Sequence, residues 1–153
     1  MLIDHVNIVV QDLDRMVAFY RDALGLKETK RVTISGSWVA STVGLPEVQA
    51  DVVYLDLASG PRVELIRYNR PAMERPAGID RPHAPGLRHI AFRVDDIEAV
   101  VERLRAAGVR FFSDGVQQVP ETQVTYAGGI RKRLIYFTDP EGNLLELCEY
   151  KPR

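Results

Sequence analysis

The hydrophobic and polar positions of this chain follow two different periods. Alternation with a period of two, typical of strands with one buried face, predicts strands at about 3–10, 27–34, 51–58, 62–68, 87–94, 110–119, 131–138 and 143–150. A helical period predicts helices at 13–24 and 96–107, each preceded by an aspartate and ended by a glycine (Asp12 and Gly25, Asp96 and Gly108). Segment 35–50 follows neither period, and we expect a loop or a short helix beside a pocket there.

The two halves of the sequence repeat each other. Residues 5–25 and 89–108 both begin with histidine, run through apolar residues to an aspartate seven positions on, and then become helical. The strands that close the halves read VELIRY (63–68) and LELCEY (145–150), each with glutamate second and tyrosine last. A repeat of this kind indicates two copies of one structural unit. We therefore predict an α+β fold of two paired βαβββ modules, at about 3–68 and 87–150.

The two modules are joined by residues 69–86, which contain four prolines and no sustained periodicity. Such a composition is typical of an extended linker. A length of 153 residues fits one compact domain. We expect a single domain, 1–153, in which the two modules share one core.

Composition excludes several classes of partner. The chain has 20 basic and 21 acidic side chains and a net charge of -1, so no basic surplus attracts nucleic acid or an anionic membrane. The apolar runs are far shorter than the roughly 20 residues of a membrane span, and the start of the chain does not resemble a signal peptide. With a single cysteine, Cys148, no internal disulfide forms. We expect a cytoplasmic protein that acts on a small molecule.

Four repeated polar residues are the candidate ligands of a metal ion. His5 and His89 begin the two modules, and Glu64 and Glu146 lie near their ends. In each strand these side chains alternate with purely aliphatic ones, so they point away from the face that packs against the helices. Two imidazoles and two carboxylates that converge would be costly without a cation between them.

A divalent ion would satisfy such a set of ligands. Two nitrogen and two oxygen donors suit Zn, Ni, Co, Mn or Fe(II), and four side chains leave coordination positions open for water or substrate. Four further residues are candidates for substrate binding, either because they share a face with these ligands or because they are aromatic and close to the expected pocket: Asn7, Tyr68, Arg93 and Trp38.

The segments DHVNIVVQDLDRMVAFYRDALG, GLRHIAFRVDDIEAV and YFTDPEGNLLEL resemble the vicinal oxygen chelate superfamily, the glyoxalase, bleomycin-resistance and dioxygenase group. The resemblance spans about residues 3–150 and is closest to glyoxalase I and methylmalonyl-CoA epimerase. It implies an incomplete barrel around one metal ion, a substrate that chelates this ion, and a homodimer.

The resemblance also bears on the chemistry. The set His5, Glu64, His89 and Glu146 matches the ligands of glyoxalase I, whereas methylmalonyl-CoA epimerases commonly carry Gln at the position of Glu64. It implies a lyase or isomerase in which Glu64 or Glu146 removes a proton next to a carbonyl or thioester. Val9 stands where glyoxalase I carries Arg, and Tyr68 where it carries Asn, which argues against glutathione as the substrate.

Two alternatives remain open from the sequence. One is an Fe(II)-dependent ring-cleaving dioxygenase, which needs a His or Tyr acid beside the metal; the candidate tyrosines are Tyr54, Tyr68, Tyr126, Tyr136 and Tyr150. The other is a small-molecule binding or antibiotic-resistance protein with pocket aromatics such as Trp38. An intact His/Glu/His/Glu set argues against the second, because a sequestering protein has no need of it.

Overall fold

The chain forms two compact units, Met1–Pro76 and Ala77–Arg153. The structure, a computed structural model, describes residues 1–123 and 129–152. Each unit has the main order β-α-β-β-β around one four-stranded sheet, with one additional short helix between the second and third strands of the first unit, so the α+β class and the two βαβββ modules are confirmed. The boundary between the units falls inside the predicted linker 69–86. That the two modules make one domain remains a prediction, and Tyr126 lies outside the described residues.

The first unit is built around the sheet order β1-β4-β3-β2. Its elements are β1 (His5–Val9), α1 (Leu13–Ala18, continued by a π-helical turn, Phe19–Ala23), β2 (Lys27–Ser35), α2 (Ser37–Val43), β3 (Gln49–Asp56) and β4 (Arg62–Arg70). Strands β1 and β4 are parallel, and the other pairs are antiparallel. Helix α1 begins where predicted, because the side chain of Asp12 accepts a hydrogen bond from the backbone N–H of Arg15.

The second unit repeats this arrangement with the order β5-β8-β7-β6. Its elements are β5 (His89–Arg93), α3 (Ile97–Ala106), β6 (Gln117–Gln118), a 3₁₀ turn (Glu121–Gln123), β7 (Ile130–Thr138) and β8 (Leu144–Pro152). The parallel pair is β5 and β8. Asp96 caps α3 by accepting from the N–H of Ala99, as Asp12 does in the first unit. Within the described residues, neither four-stranded sheet closes on itself.

The predicted strand 110–119 is wrong in most of its length. Phe111 makes an isolated bridge to Phe137, and regular pairing resumes at Gln117, opposite Leu134. Six positions along this segment therefore span only three positions along β7, which leaves three residues looped out. Alternating polarity predicted a continuous strand, but the surplus residues cannot stay in register with a straight partner.

One face of each sheet carries the aliphatic side chains that pack against the helix of its unit. In the first unit, Val63 and Leu65 of β4 are 2% and 0% exposed, and α1 packs on this strand. In the second unit, Leu145 and Leu147 of β8 are equally buried, with α3 packed on β8. The side chains between these aliphatic residues, which include both candidate glutamates, consequently lie on the other face of each sheet.

Segment 35–50 contains a short helix, α2, which begins and ends at glycines with positive φ. Gly36 has a φ of +94° and Gly44 a φ of +68°, conformations that other residues adopt only with strain. Across the described residues, none of the helices has the length and apolar character needed to cross a membrane.

Candidate active site

The first half-site consists of His5 and Glu64, which lie on the neighbouring parallel strands β1 and β4. His5 Nε2 is 3.4 Å from Glu64 Oε2. The other ring nitrogen, Nδ1, is 2.8 Å from Asp4 Oδ2, so a carboxylate orients the imidazole from behind. Asn7 lies directly opposite Glu64 in the strand register and donates a hydrogen bond from Nδ2 to Glu64 Oε2 at 2.6 Å. Glu64 is thus held from two sides.

The second half-site, His89 and Glu146, has the same construction on β5 and β8. His89 Nε2 is 3.2 Å from Glu146 Oε2. The residue opposite Glu146 in the register is Ala91, which offers no side-chain donor. Instead Lys132, on β7, places Nζ 3.3 Å from Glu146 Oε1. The two half-sites therefore share their histidine–glutamate geometry and differ in the group that supports the glutamate.

A tyrosine stands across from each glutamate. Tyr54 pairs with Glu64 between β3 and β4, and Tyr136 pairs with Glu146 between β7 and β8. Their rings also lie 5.7 Å from the His5 ring and 5.1 Å from the His89 ring, respectively, between centroids.

The electrostatics follow from these contacts. The hydrogen bond to the Glu64 carboxylate, together with burial, raises the pKa of Tyr54 to about 12. Burial and the Glu146 carboxylate raise the pKa of Tyr136 as well. Both phenols are therefore neutral donors at physiological pH.

The face around the first half-site is apolar. Three buried residues form its centre, and four partly buried ones pack against them: Ala50, Val52 and Ile66, with Val32, Ile34, Tyr54 and Tyr68. The predicted substrate contact Tyr68 is one of them. Such a lining excludes water and strengthens any charge interaction of Glu64.

Comparison with known proteins decides the family. The family model described as Glyoxalase/Bleomycin resistance protein/Dioxygenase superfamily matches residues 2–147. The chain belongs to this superfamily. The expectation drawn from the sequence motifs is thereby confirmed.

Several superfamily relatives cover most of this chain. A 2-epi-5-epi-valiolone epimerase from Actinomyces sp is 32% identical over 149 residues, 95% of this chain and 77% of the relative. The mitochondrial methylmalonyl-CoA epimerase of Mus musculus is 31% identical over 120 residues, 73% of this chain and 56% of the relative. The crystal structure of a glyoxalase family protein from Bacillus cereus superposes with a TM-score of 0.81 at 28% identity, covering 98% of this chain and 94% of the other.

The residues present fit the divalent ion that the superfamily implies. Glu146 is 3% exposed, yet its Oε1 atom has no hydrogen-bond partner within residues 1–123 and 129–152. Lys132 lies within ion-pair distance of this atom but not in hydrogen-bond geometry. A buried, unsatisfied carboxylate oxygen beside an imidazole is a suitable ligand for a cation. Each half-site by itself contains two candidate ligands, and the described residues contain no group of three or more His, Cys, Asp or Glu that could hold an ion.

The remaining predicted residues lie in different surroundings. Arg93, on β5, places its guanidinium carbon 5.4 Å from the centroid of the Tyr150 ring. Trp38 lies on α2 and is 61% exposed, and in the described parts of the chain no hydrogen bond or ring contact joins its side chain to Glu64 or His5. Cys148 is buried, and burial raises the pKa of its thiol, so it remains protonated and behaves as a small apolar residue.

Sequence analysis missed Lys132 altogether. Its contact with Glu146 was nevertheless encoded in the hairpin formed by β7, the turn TDPEGN and β8. Once Thr138 is set opposite Leu144, counting back along the strands places Tyr136 opposite Glu146 and Lys132 opposite Tyr150. The alternation of side chains then puts Lys132 on the face of Glu146.

Proposed function

We propose that this protein is a divalent-metal-dependent lyase or isomerase that removes a proton next to the carbonyl or thioester group of a small substrate. The observation that carries the proposal is the duplicated half-site. In each module a histidine Nε2 lies within 3.2–3.4 Å of a glutamate Oε2, on the parallel strand pair of its sheet. Chance does not readily produce the same pair twice at equivalent positions of a repeat.

The proposed ligands of the ion are His5, Glu64, His89 and Glu146. A bound Zn, Ni, Co, Mn or Fe(II) ion would act as a Lewis acid that stabilises negative charge developing on the carbonyl oxygen of the substrate. The supporting groups fit this role. Asp4 orients His5 from Nδ1, and the carboxylate–histidine arrangement is a common one behind metal ligands.

One glutamate also serves as the base in this proposal. Glu64 is the better candidate, because its side chain is 13% exposed against 4% for Glu146. No lysine or arginine side chain forms an ion pair with Glu64 among the described residues, whereas Lys132 is paired with Glu146. Tyr54 is a neutral donor next to Glu64, placed to steady its carboxylate while a proton moves to it and back.

The named relatives support proton transfer. Two of them are called epimerases, and inversion of a carbon next to a carbonyl begins with the removal of its proton. The superfamily contains other reactions as well, so the fold does not choose among them. We further propose, from the resemblance, that the protein is a cytoplasmic homodimer; sedimentation at micromolar concentration tests the dimer directly, and a monomer would exclude it.

Deuterium exchange tests the reaction without knowledge of the full turnover. The metal-loaded protein is incubated in D₂O with acyl-CoA thioesters that carry an α-proton and with hemithioacetals of 2-oxoaldehydes, and deuterium incorporation is read by mass spectrometry. We expect incorporation at the α-carbon with at least one class, abolished by a chelator. Catechols with an oxygen electrode form a parallel arm, and oxygen uptake without deuterium exchange would replace the proposal by ring cleavage.

Two variants and a control assign the base. E64Q is expected to lower the exchange rate by about 10²–10⁴-fold. E146Q is expected to act mainly by weakening the binding of the metal ion. E74Q, in the exposed segment between the modules, serves as the matched control and should exchange at the wild-type rate. Full exchange in both E64Q and E146Q would refute the assigned role.

A further inference from the structure

The two half-sites differ systematically in charge, and this difference points to a further binding site. The closing hairpins correspond at an offset of 82 residues, since Tyr54 faces Glu64 as Tyr136 faces Glu146. At this offset Lys132 takes the place of Ala50, and each of the two faces the final tyrosine of its module, Tyr150 or Tyr68.

The opening strands show a second change of the same kind. His5 corresponds to His89 at an offset of 84 residues, which makes Arg93 the counterpart of Val9. Val9 lies next to Ile66 in the strand register, and Arg93 lies next to Cys148. The second module therefore has two cations at positions where the first has two apolar side chains.

Both cations converge on one aromatic ring. Lys132 Nζ lies 5.7 Å and the guanidinium carbon of Arg93 5.4 Å from the centroid of the Tyr150 ring. The face of a tyrosine ring attracts cations and can hold both side chains in place. Tyr68 is the corresponding tyrosine of the first module, and it packs instead in the apolar cluster around Ala50.

The charges near Tyr150 do not balance. Lys132 is paired with Glu146, whereas Arg93 has no carboxylate within ion-pair distance in the described part of the chain. Two cations thus lie beside the Tyr150 ring, and among the described residues only one of them has a carboxylate partner. If Glu146 is a metal ligand, its charge is already engaged by the ion, and both side chains remain available to an anion.

We propose that Lys132 and Arg93, arranged around Tyr150, form a subsite for an anionic oxygen group of the substrate. The group is a carboxylate or a phosphate, held by the ammonium and the guanidinium together. The inference rests on the proposed function for its place in the reaction: it makes the substrate an acid whose anionic end lies close to Glu146, one of the proposed metal ligands.

Direct binding of small anions tests this subsite. Malonate, inorganic phosphate and the uncharged malonamide are titrated into the protein by calorimetry, with and without saturating Zn²⁺. We expect malonate or phosphate to bind, malonamide not to bind, and the affinity to fall as salt is added. The anion that binds with the higher affinity shows whether the subsite is suited to a carboxylate or to a phosphate.

The repeat itself supplies the variants. K132A and R93V introduce the residues that the first module has at the corresponding positions, Ala50 and Val9. Each variant is expected to weaken anion binding at least tenfold. K132R keeps the charge and should retain binding, and it remains informative if K132A fails to fold. R131A is the matched control, because Arg131 is exposed and points to the opposite side of β7, and it should bind anions as the wild type does.

The outcomes separate this inference from the proposed function. Equal anion affinity in the wild type, K132A and R93V, or an equal loss in R131A, would overturn the subsite while metal binding and deuterium exchange stand. If the wild type binds anions but no metal ion, the proposed function is overturned and the subsite stands. Anion binding that needs Zn²⁺ but is unchanged in K132A and R93V would place the anion on the metal and also overturn the subsite.

Discussion

Tyr54 lies directly across from Glu64 in the register of β3 and β4, and the contact between their side chains raises the pKa of the phenol to about 12. The same pairing recurs in the second module. Each of the two glutamates thus has a neutral phenol beside it.

The titration of Tyr54 is expected to report on Glu64. Replacement of the carboxylate by an amide in E64Q removes the main cause of the raised pKa, so the pKa of Tyr54 should fall from about 12 toward the ordinary value of 10.0. Ultraviolet absorbance of tyrosinate, with Y54F used to subtract the other tyrosines, measures this change in the metal-free protein. E74Q should leave the titration unaltered, and an unchanged pKa in E64Q would show that the two side chains do not interact.

Asn7 is expected to position Glu64 for the metal. Its side-chain amide donates to Glu64 Oε2 at 2.6 Å, and the loss of such a supporting partner typically weakens metal affinity about 10–100-fold. N7A should therefore bind Zn²⁺ more weakly by this factor, as measured by competition with a chromophoric chelator.

The second module supplies the comparison for Asn7. Ala91 occupies the equivalent register position beside Glu146, so A91S changes the corresponding position without removing a contact. Zn²⁺ affinity is expected to be nearly unchanged in A91S. Wild-type affinity in N7A would mean that Glu64 needs no support from β1.

Glu149 is expected to stabilise the second module rather than act in the reaction. It is 1% exposed, accepts a hydrogen bond from Ile97 N at the start of α3, and pairs with Arg133 and Lys151. E149A removes the hydrogen-bond acceptor of Ile97 N and the partner of Lys151, and it leaves Arg133 only its more exposed pair with Glu98, so we expect a loss of about 2–3 kcal/mol in the free energy of unfolding by urea. E102Q, at an exposed position of α3, is the control.

The contribution of Glu149 should depend on pH in a defined direction. Although burial opposes it, the hydrogen bond from Ile97 and the charges of Lys151 and Arg133 lower the pKa of Glu149 below the ordinary 4.5. The stabilisation is therefore fully present above pH 4.5 and is lost as the pH falls through the lowered value. The difference in unfolding free energy between wild type and E149Q should shrink in that range, and a difference that grows on acidification would contradict this account.

Much of the fold and of the candidate site follows from the sequence because the repeat constrains both. Strand alternation placed His5 and Glu64 on one face, and the duplicated segments showed which residues correspond. The strand predicted at 110–119 failed because alternating polarity does not reveal three looped-out residues near Gly115. The side chains that contact each glutamate, Asn7 and Lys132, could not be identified from polarity either, because these contacts depend on the strand register.

The sequence repeat also did not reveal the difference in charge between the two modules. Similarity between the modules directs attention to identical residues, whereas Lys132 and Arg93 matter because they differ from Ala50 and Val9. Arg93 was identified from its strand parity with His89. Lys132 required the pairing of β7 with β8, because nothing in its immediate sequence distinguishes it from the neighbouring arginines.

Metal stoichiometry in histidine variants tests the central proposal, that His5, Glu64, His89 and Glu146 are ligands of one ion. Zn²⁺ content after equilibrium dialysis, measured by mass spectrometry, is compared among the wild type, H5A, H89A and H83A, the last changing the exposed third histidine. We expect one ion per chain in the wild type and in H83A, and a loss of affinity of about a hundredfold or more in both H5A and H89A. Wild-type affinity in either H5A or H89A, or no bound ion in the wild type, would contradict this proposal.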